Sequence, residues 1–109
     1  MEALLDKLVG SAGDRPIDEV IKENVYLVDV RSPEEFASGS ADGAVNIPLG
    51  VLAQQISAFE NKQNIVVFCR SGARSGQAKM LLEREGIQNV VNGGPWQQVQ
   101  AALDRVMVK

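Results

Sequence analysis

The chain has no histidine and a single cysteine among its 109 residues. Without histidine there is no imidazole general base, no Ser-His-Asp or Cys-His arrangement and no His-ligated metal. One cysteine excludes an intramolecular disulfide framework and any multi-cysteine metal site. Neither a metal nor a cofactor is therefore expected. Positive charge is also scarce: 11 Lys and Arg stand against 14 Asp and Glu, a net charge of -3. That balance argues against a nucleic-acid partner, which would want a basic platform. No apolar run approaches the ~20 residues of a membrane span. The N-terminus, MEALLDKLVG, is acidic early and has no basic start followed by an unbroken apolar stretch, so it does not read as a signal peptide. A cytoplasmic location is the default, with the periplasm as the alternative if a leader has been removed. Any chemistry must rest on the one thiol, a hydroxyl, a carboxylate or a cation.

What is present suits one domain over residues 1–109. A chain this long buries roughly 65% of the surface its unfolded form exposes, and 45% hydrophobic residues supply a core without staples. Leu4, Leu5 and Leu8 give residues 2–9 a helical stripe, and Asp14 can cap a second helix over 16–23 with Pro16 in its first turn. Residues 25–30 form a short β-rich apolar run, the look of a strand covered on both faces. Ser32-Pro33-Glu34-Glu35 then has the spacing of a capping box, opening a short helix that Gly39 ends. A brief strand over 44–47 stops at Pro48, and Val51, Leu52, Ile56 and Phe59 share one face of a helix over 51–59. Residues 64–69 are the clearest strand. A helix over 75–85 ends at Gly86 in the C′ position. Residues 89–91 make a last short strand, Gly93-Gly94 a sharp turn, and 95–107 a closing helix. Strands alternating with helices imply an α/β fold in three layers, with a mainly parallel central sheet and helices on both faces. The strand count reaches about five only if a weak segment near 15–17 or 44–47 is included.

The chemistry converges on Cys69-Arg70-Ser71-Gly72-Ala73-Arg74-Ser75. Cys69 ends a buried strand, so it lies at the carboxyl edge of the sheet, where α/β folds place their ligand crevices. A helix starts directly after the loop, and its free N–H groups and positive end favour an anion and lower the pKa of a nearby thiol. Arg70 and Arg74 flank Gly72, so a small turn can aim successive N–H groups inward while two guanidiniums add charge. A thiolate at the base of such a nest is a nucleophile that has no need of histidine. Ser71 and Ser75 can donate to a bound oxyanion, and Ser75 is equally placed to cap the helix. The bland alternative is that Cys69 is a small buried hydrophobe. Asp29, Arg31 and Glu35 read as a partly buried network that fixes the loops. Tyr26, Phe36, Phe59 and Phe68 read as core, and Trp96 as core or as the rim of the site.

Asp29-Val30-Arg31, Glu34-Glu35-Phe36, Gly39, the run Gly43-Ala44-Val45-Asn46-Ile47-Pro48 and the Cys69 loop together resemble the rhodanese domain of sulfurtransferases. The match runs from about residue 25 to residue 94, and the Ser-Gly-Gln-Ala-Lys run after the loop is similar to the small phage-shock type of single-domain rhodanese. The resemblance implies a rhodanese-like fold and a cysteine that accepts a sulfane sulfur as a persulfide. Loop N–H groups from Arg70 to Arg74 would hold that sulfur, and the arginines would bind a small anionic donor such as thiosulfate. It implies an external acceptor, a thiol or cyanide, and the chain is expected to be monomeric. Two departures stand out. Ser40-Ala41 occupies the place of the family's usual His-Ile pair, and Trp96 follows the Gly-Gly turn almost at once instead of about four residues on. Loop length bears on the rival readings. Cysteine phosphatases place five residues between Cys and Arg, whereas four separate Cys69 from Arg74, a tighter loop that suits sulfur. A phosphatase or arsenate reductase, and a non-catalytic module that senses sulfur or presents it to a partner, remain the alternatives.

Overall fold

The computed structural model describes residues 15–107. The expected helix at 2–9 and the Asp14 cap lie outside them. The two central strands form where β-branched and aromatic residues cluster between turns. β1 (Val25–Asp29) and β3 (Asn64–Cys69) pair in parallel over five residues, from Val25 opposite Asn64 to Asp29 opposite Phe68. β2 (Val45–Asn46) joins the other side of β1, and β4 (Val90–Pro95) the other side of β3, giving a parallel sheet of order β2-β1-β3-β4. The α/β reading is therefore met, with four strands among the described residues and not five. Residues 15–17 form none, because Ile17 opens helix α1 (Ile17–Val20).

All six residues of β3 are buried, as a central parallel strand covered on both faces requires. Its alternation sorts the core into two layers. Ile65, Val67 and Cys69 pack with Val28, Leu52, Phe59, Ala78 and Leu82 beneath α3 (Ala73–Arg84) and the 3-10 helical segment Leu49–Phe59. Val66 and Phe68 pack on the other face with Val20, Leu27, Val99 and Ala102 beneath α1 and α4 (Trp96–Met107). Each fully buried side chain of this kind contributes about 1.5–3 kcal/mol of apolar transfer, so the strand carrying Cys69 is the most firmly held part of the sheet.

Several boundaries differ from expectation, each for a local reason. Helix α1 is one turn long, because Glu23 N–H closes onto Val20 O and frees the chain to enter β1. The helix expected over 51–59 is a 3-10 segment, interrupted at Gln55 (φ -118°, ψ 22°). Its three-residue turn buries Leu52 and Phe59, half-buries Ile56 and leaves Val51 exposed. The Ser32 capping box opens α2 (Pro33–Ala37) as expected, with Ser32 Oγ accepting from Glu35 N–H and the Glu35 carboxylate accepting from Ser32 N–H. Gly86 follows α3 with φ +88°, the left-handed C′ position. Gly93-Gly94 is not a turn after the sheet. Both residues lie within β4, which runs on to Pro95 opposite Cys69 across a bulge. That extension brings β4 alongside the cysteine loop.

Candidate active site

Cys69 ends β3 fully buried, on the face that α3 covers. The chain then rises through Arg70 and Ser71, both exposed, and turns at Gly72 with φ +102°. This left-handed conformation suits glycine, and it makes Gly72 the N-cap of α3. Helix α3 thus begins at Ala73, two residues earlier than the sequence suggests. Ser75 is consequently not the cap. It sits inside the first turn, buried, with its side chain turned back to the sulfur.

Two backbone donors and the Ser75 hydroxyl, which can donate or accept, converge on Cys69 Sγ. Gly72 N–H lies at 3.0 Å, Ser75 N–H at 3.4 Å and Ser75 Oγ at 3.4 Å. Burial pushes the thiol pKa up and is the largest single influence. The Ser75 hydroxyl and the N–H groups of Ser75, Gly72 and Ser71 outweigh it together, so the pKa falls below the usual thiol value. The positive end of a three-turn helix acts in the same direction. Such a cradle holds negative charge on sulfur without an imidazole.

The two arginines separate. The Arg74 guanidinium grips Glu35 through two bonds, Nη1 to Oε1 at 2.7 Å and Nη2 to Oε2 at 3.1 Å. Glu35 is thereby held at about 2, with Arg74 the main cause and Ser32 N–H the next. Arg74 is thus a strut between α3 and α2, and Arg70 is left exposed, with no ion pair among the described residues. Ala73 is exposed and contributes backbone only. The expected network of Asp29, Arg31 and Glu35 divides too. Asp29 and Arg31 pair with each other at 2.7 Å, both buried, while Ser40 Oγ donates to Asp29 and Arg31 Nη2 to Gly39 O. Ser40 therefore supplies the carboxylate with a hydrogen bond from the position where the family's histidine usually stands. Trp96 packs against Gly39 and lies 5.4 Å from the Arg31 guanidinium, within the layer on the other face of the sheet from Cys69.

One participant is not visible in the sequence. Asn92, on β4, accepts from Ser75 Oγ at 2.7 Å and donates to Gly72 O at 3.1 Å. No local pattern marks it, because the contact forms only when β4 passes the first turn of α3.

A parallel sheet that ends in a cysteine beneath a helix N-terminus defines an α/β protein with a cysteine-loop anion cradle. The rhodanese-like domain model matches residues 15–99, and the chain belongs to that family. It is 41% identical over 71 residues to the thiosulfate sulfurtransferase PspE of Escherichia coli, covering 63% of this chain and 68% of that protein. It is 39% identical over 70 residues to a sulfurtransferase of Allochromatium vinosum, covering 64% and 65%. The chain thus spans about two thirds of the length of these relatives. Among solved structures, a rhodanese with anions from E. coli superposes with a TM-score of 0.62 at 34% identity, over 68% of this chain and 89% of that one.

Proposed function

We propose that the chain is a sulfurtransferase that moves a sulfane sulfur from a small anionic donor such as thiosulfate to an external acceptor through a persulfide on Cys69. The observation that carries this reading is the convergence of Gly72 N–H, Ser75 N–H and Ser75 Oγ on Cys69 Sγ at the start of α3. Kinship with PspE and the A. vinosum sulfurtransferase supports it. In the first half-reaction the Cys69 thiolate attacks the outer sulfur of thiosulfate. A new S–S bond forms, and the old one breaks with its electron pair leaving on sulfite. In the second, an acceptor thiolate or cyanide attacks the outer sulfur of the persulfide and returns Cys69 as a thiolate. The chain has no second cysteine, so it cannot resolve the persulfide as an internal disulfide, and the acceptor belongs to another molecule. Backbone N–H groups from Arg70 to Arg74, with the Ser71 and Ser75 hydroxyls, line the loop that receives the sulfur. Arg70 is the side chain that meets the anionic donor, since Arg74 is committed to Glu35. That commitment also counts against a phosphatase, which would need the loop's last arginine for the phosphoryl oxygens.

The full burial of Cys69 favours a second reading, a module that holds sulfur for a partner without turnover. One experiment separates the two. The protein is incubated with thiosulfate, its intact mass is measured, and cyanide is then added. Sulfur transfer predicts a gain of about 32 Da, one sulfur atom held as a persulfide. That mass is absent in Cys69→Ser and is discharged as thiocyanate by cyanide. A folded wild-type protein that gains no mass and consumes no thiosulfate would overturn the proposal. A persulfide that forms but resists cyanide and thiols would leave the sulfur-holding module.

A further inference from the structure

The orientation of the Asn92 amide is fixed by its partners. Its Oδ1 faces two donors, Gly94 N–H at 3.0 Å and Ser75 Oγ at 2.7 Å, and its Nδ2 faces the Gly72 carbonyl at 3.1 Å. Turning the amide over would set N–H against N–H and oxygen against oxygen. Ser75 Oγ has one hydrogen and two acceptors within reach, Asn92 Oδ1 at 2.7 Å and Cys69 Sγ at 3.4 Å. It cannot serve both. While sulfur carries its own proton, the shorter contact to oxygen takes the hydrogen, and the S–H can point at the Ser75 lone pair. Once sulfur is negative, a charge-assisted bond to it is the stronger one. Asn92 Oδ1 can release the hydrogen without being orphaned, because Gly94 N–H still donates to it.

We propose that Asn92 is a positioning residue for Cys69: its side-chain carbonyl holds the Ser75 hydroxyl hydrogen away from the thiol and yields it to the thiolate. Only the S–H bond breaks in this step, and its proton goes to solvent; the Ser75 hydroxyl merely rotates. One side chain thereby has two opposed effects. Through Nδ2, Asn92 braces the Gly72 carbonyl and so steadies the Gly72 N–H that points at sulfur. Through Oδ1, it competes with sulfur for the Ser75 hydrogen. The charged groups around Cys69 are Arg70 in its loop, Arg74 on α3 with Glu35 on α2, and Asp29 with Arg31 at the end of β1. Neither β4 nor the 3-10 segment brings a charge to this side. None of these charges changes when Asn92 or Ser75 is replaced by alanine.

This role for Asn92 rests on Cys69 working as a thiolate, and its test reads ionisation directly, apart from sulfur transfer. Thiolate ultraviolet absorbance is followed against pH for wild type, Asn92→Ala, Ser75→Ala and the double variant. In each case the matching Cys69→Ser protein is subtracted to remove the tyrosine signal. Loss of the Gly72 brace affects both serine and alanine backgrounds alike and cancels in the cycle. What remains is the freed hydroxyl. Asn92→Ala should favour ionisation more with Ser75 present than in the Ser75→Ala background, by about threefold or more in the acid constant, equivalent to half a pKa unit. Equal effects in the two backgrounds, or a coupling of opposite sign, would overturn the proposal. Should Asn92→Ala fail to fold, Asn92→Asp carries the test with the sign reversed, since a carboxylate retains the hydrogen more strongly. A coupling found in a protein that forms no persulfide would sink only the functional reading. A persulfide without the coupling would sink only this one.

Discussion

Replacing Arg31 with methionine tests whether the buried pair beneath the site holds the loops through charge or through packing. Arg31 Nε lies 3.0 Å from both Asp29 oxygens, Nη2 lies 2.7 Å from Oδ2, and Nη2 also donates to Gly39 O. Methionine keeps most of the aliphatic stem but removes all four contacts. Asp29, with no exposed surface, would retain only Arg31 N–H at 2.9 Å and Ser40 Oγ at 2.7 Å, two neutral donors to a buried anion. Breaking such a pair from one side costs about 3–5 kcal/mol, chiefly because the surviving charge is stranded. The attraction between Arg31 and the Trp96 ring adds about 0.5–1 kcal/mol. Denaturant unfolding should show the combined loss, and the melting temperature should fall by more than about 10 °C. An Asp29→Asn change removes the stranded charge: its Oδ1 accepts from the backbone N–H of residue 31, and its Nδ2, in the place of Oδ2, donates to Ser40 Oγ, whose hydroxyl turns from donor to acceptor. The double variant Asp29→Asn with Arg31→Met should therefore recover more than half of the loss. A single variant that costs under about 1 kcal/mol, or a double variant no more stable than the single, would refute the reasoning.

Two further substitutions probe the supports on either side. Glu35 is held at about 2, below its ordinary 4.5, so its contribution to stability is full above the ordinary value and is lost as pH falls from there toward 2. The melting temperature of wild type should drop more steeply than that of Glu35→Gln between about pH 5 and pH 3; parallel profiles would show that the Arg74 clamp contributes nothing. Gly93→Ala tests the close packing of β4 against α4. A Cβ there would stand 2.8 Å from Val66 Cγ1 and 2.8 Å from Val99 Cγ2, so overpacking should cost about 1–3 kcal/mol in denaturant unfolding. A change under about 0.5 kcal/mol would mean the two layers yield more easily than their geometry implies.

These supports also mark where the sequence stops being readable. The Ser32 capping box, the Gly86 stop and the five apolar residues of β3 that follow Asn64 are local signals, and each appears where its spacing puts it. The pairing of Arg74 with Glu35 spans 39 residues, and that of Ser75 with Asn92 spans 17. Such contacts depend on which elements the sheet makes neighbours. The start of α3 departs from expectation for a related reason. Serine is the commoner cap, but the chain must reverse sharply after Cys69, and only Gly72 takes the left-handed turn that does so. The cap passes to the glycine, and the freed serine turns to the sulfur. The Gly93-Gly94 step reads locally as a turn, yet β3 gives it a partner and draws it into the sheet.

Apart from Arg70, the charges at the site pair off before they reach the sulfur. Asp29 takes Arg31, and Glu35 takes Arg74. What faces Cys69 directly is a set of N–H and O–H dipoles at a helix end. Dipoles fixed by a folded loop need no reorganisation when charge appears on sulfur, which is the condition under which electrostatic stabilisation is most effective. A histidine would instead add a group that can gain or lose a proton as the charge on sulfur changes. A cradle of fixed donors can hold either a thiolate or the negative outer atom of a persulfide without any such transfer. In the proposed persulfide cycle, the missing imidazole suits a sulfur that would change its substituent twice.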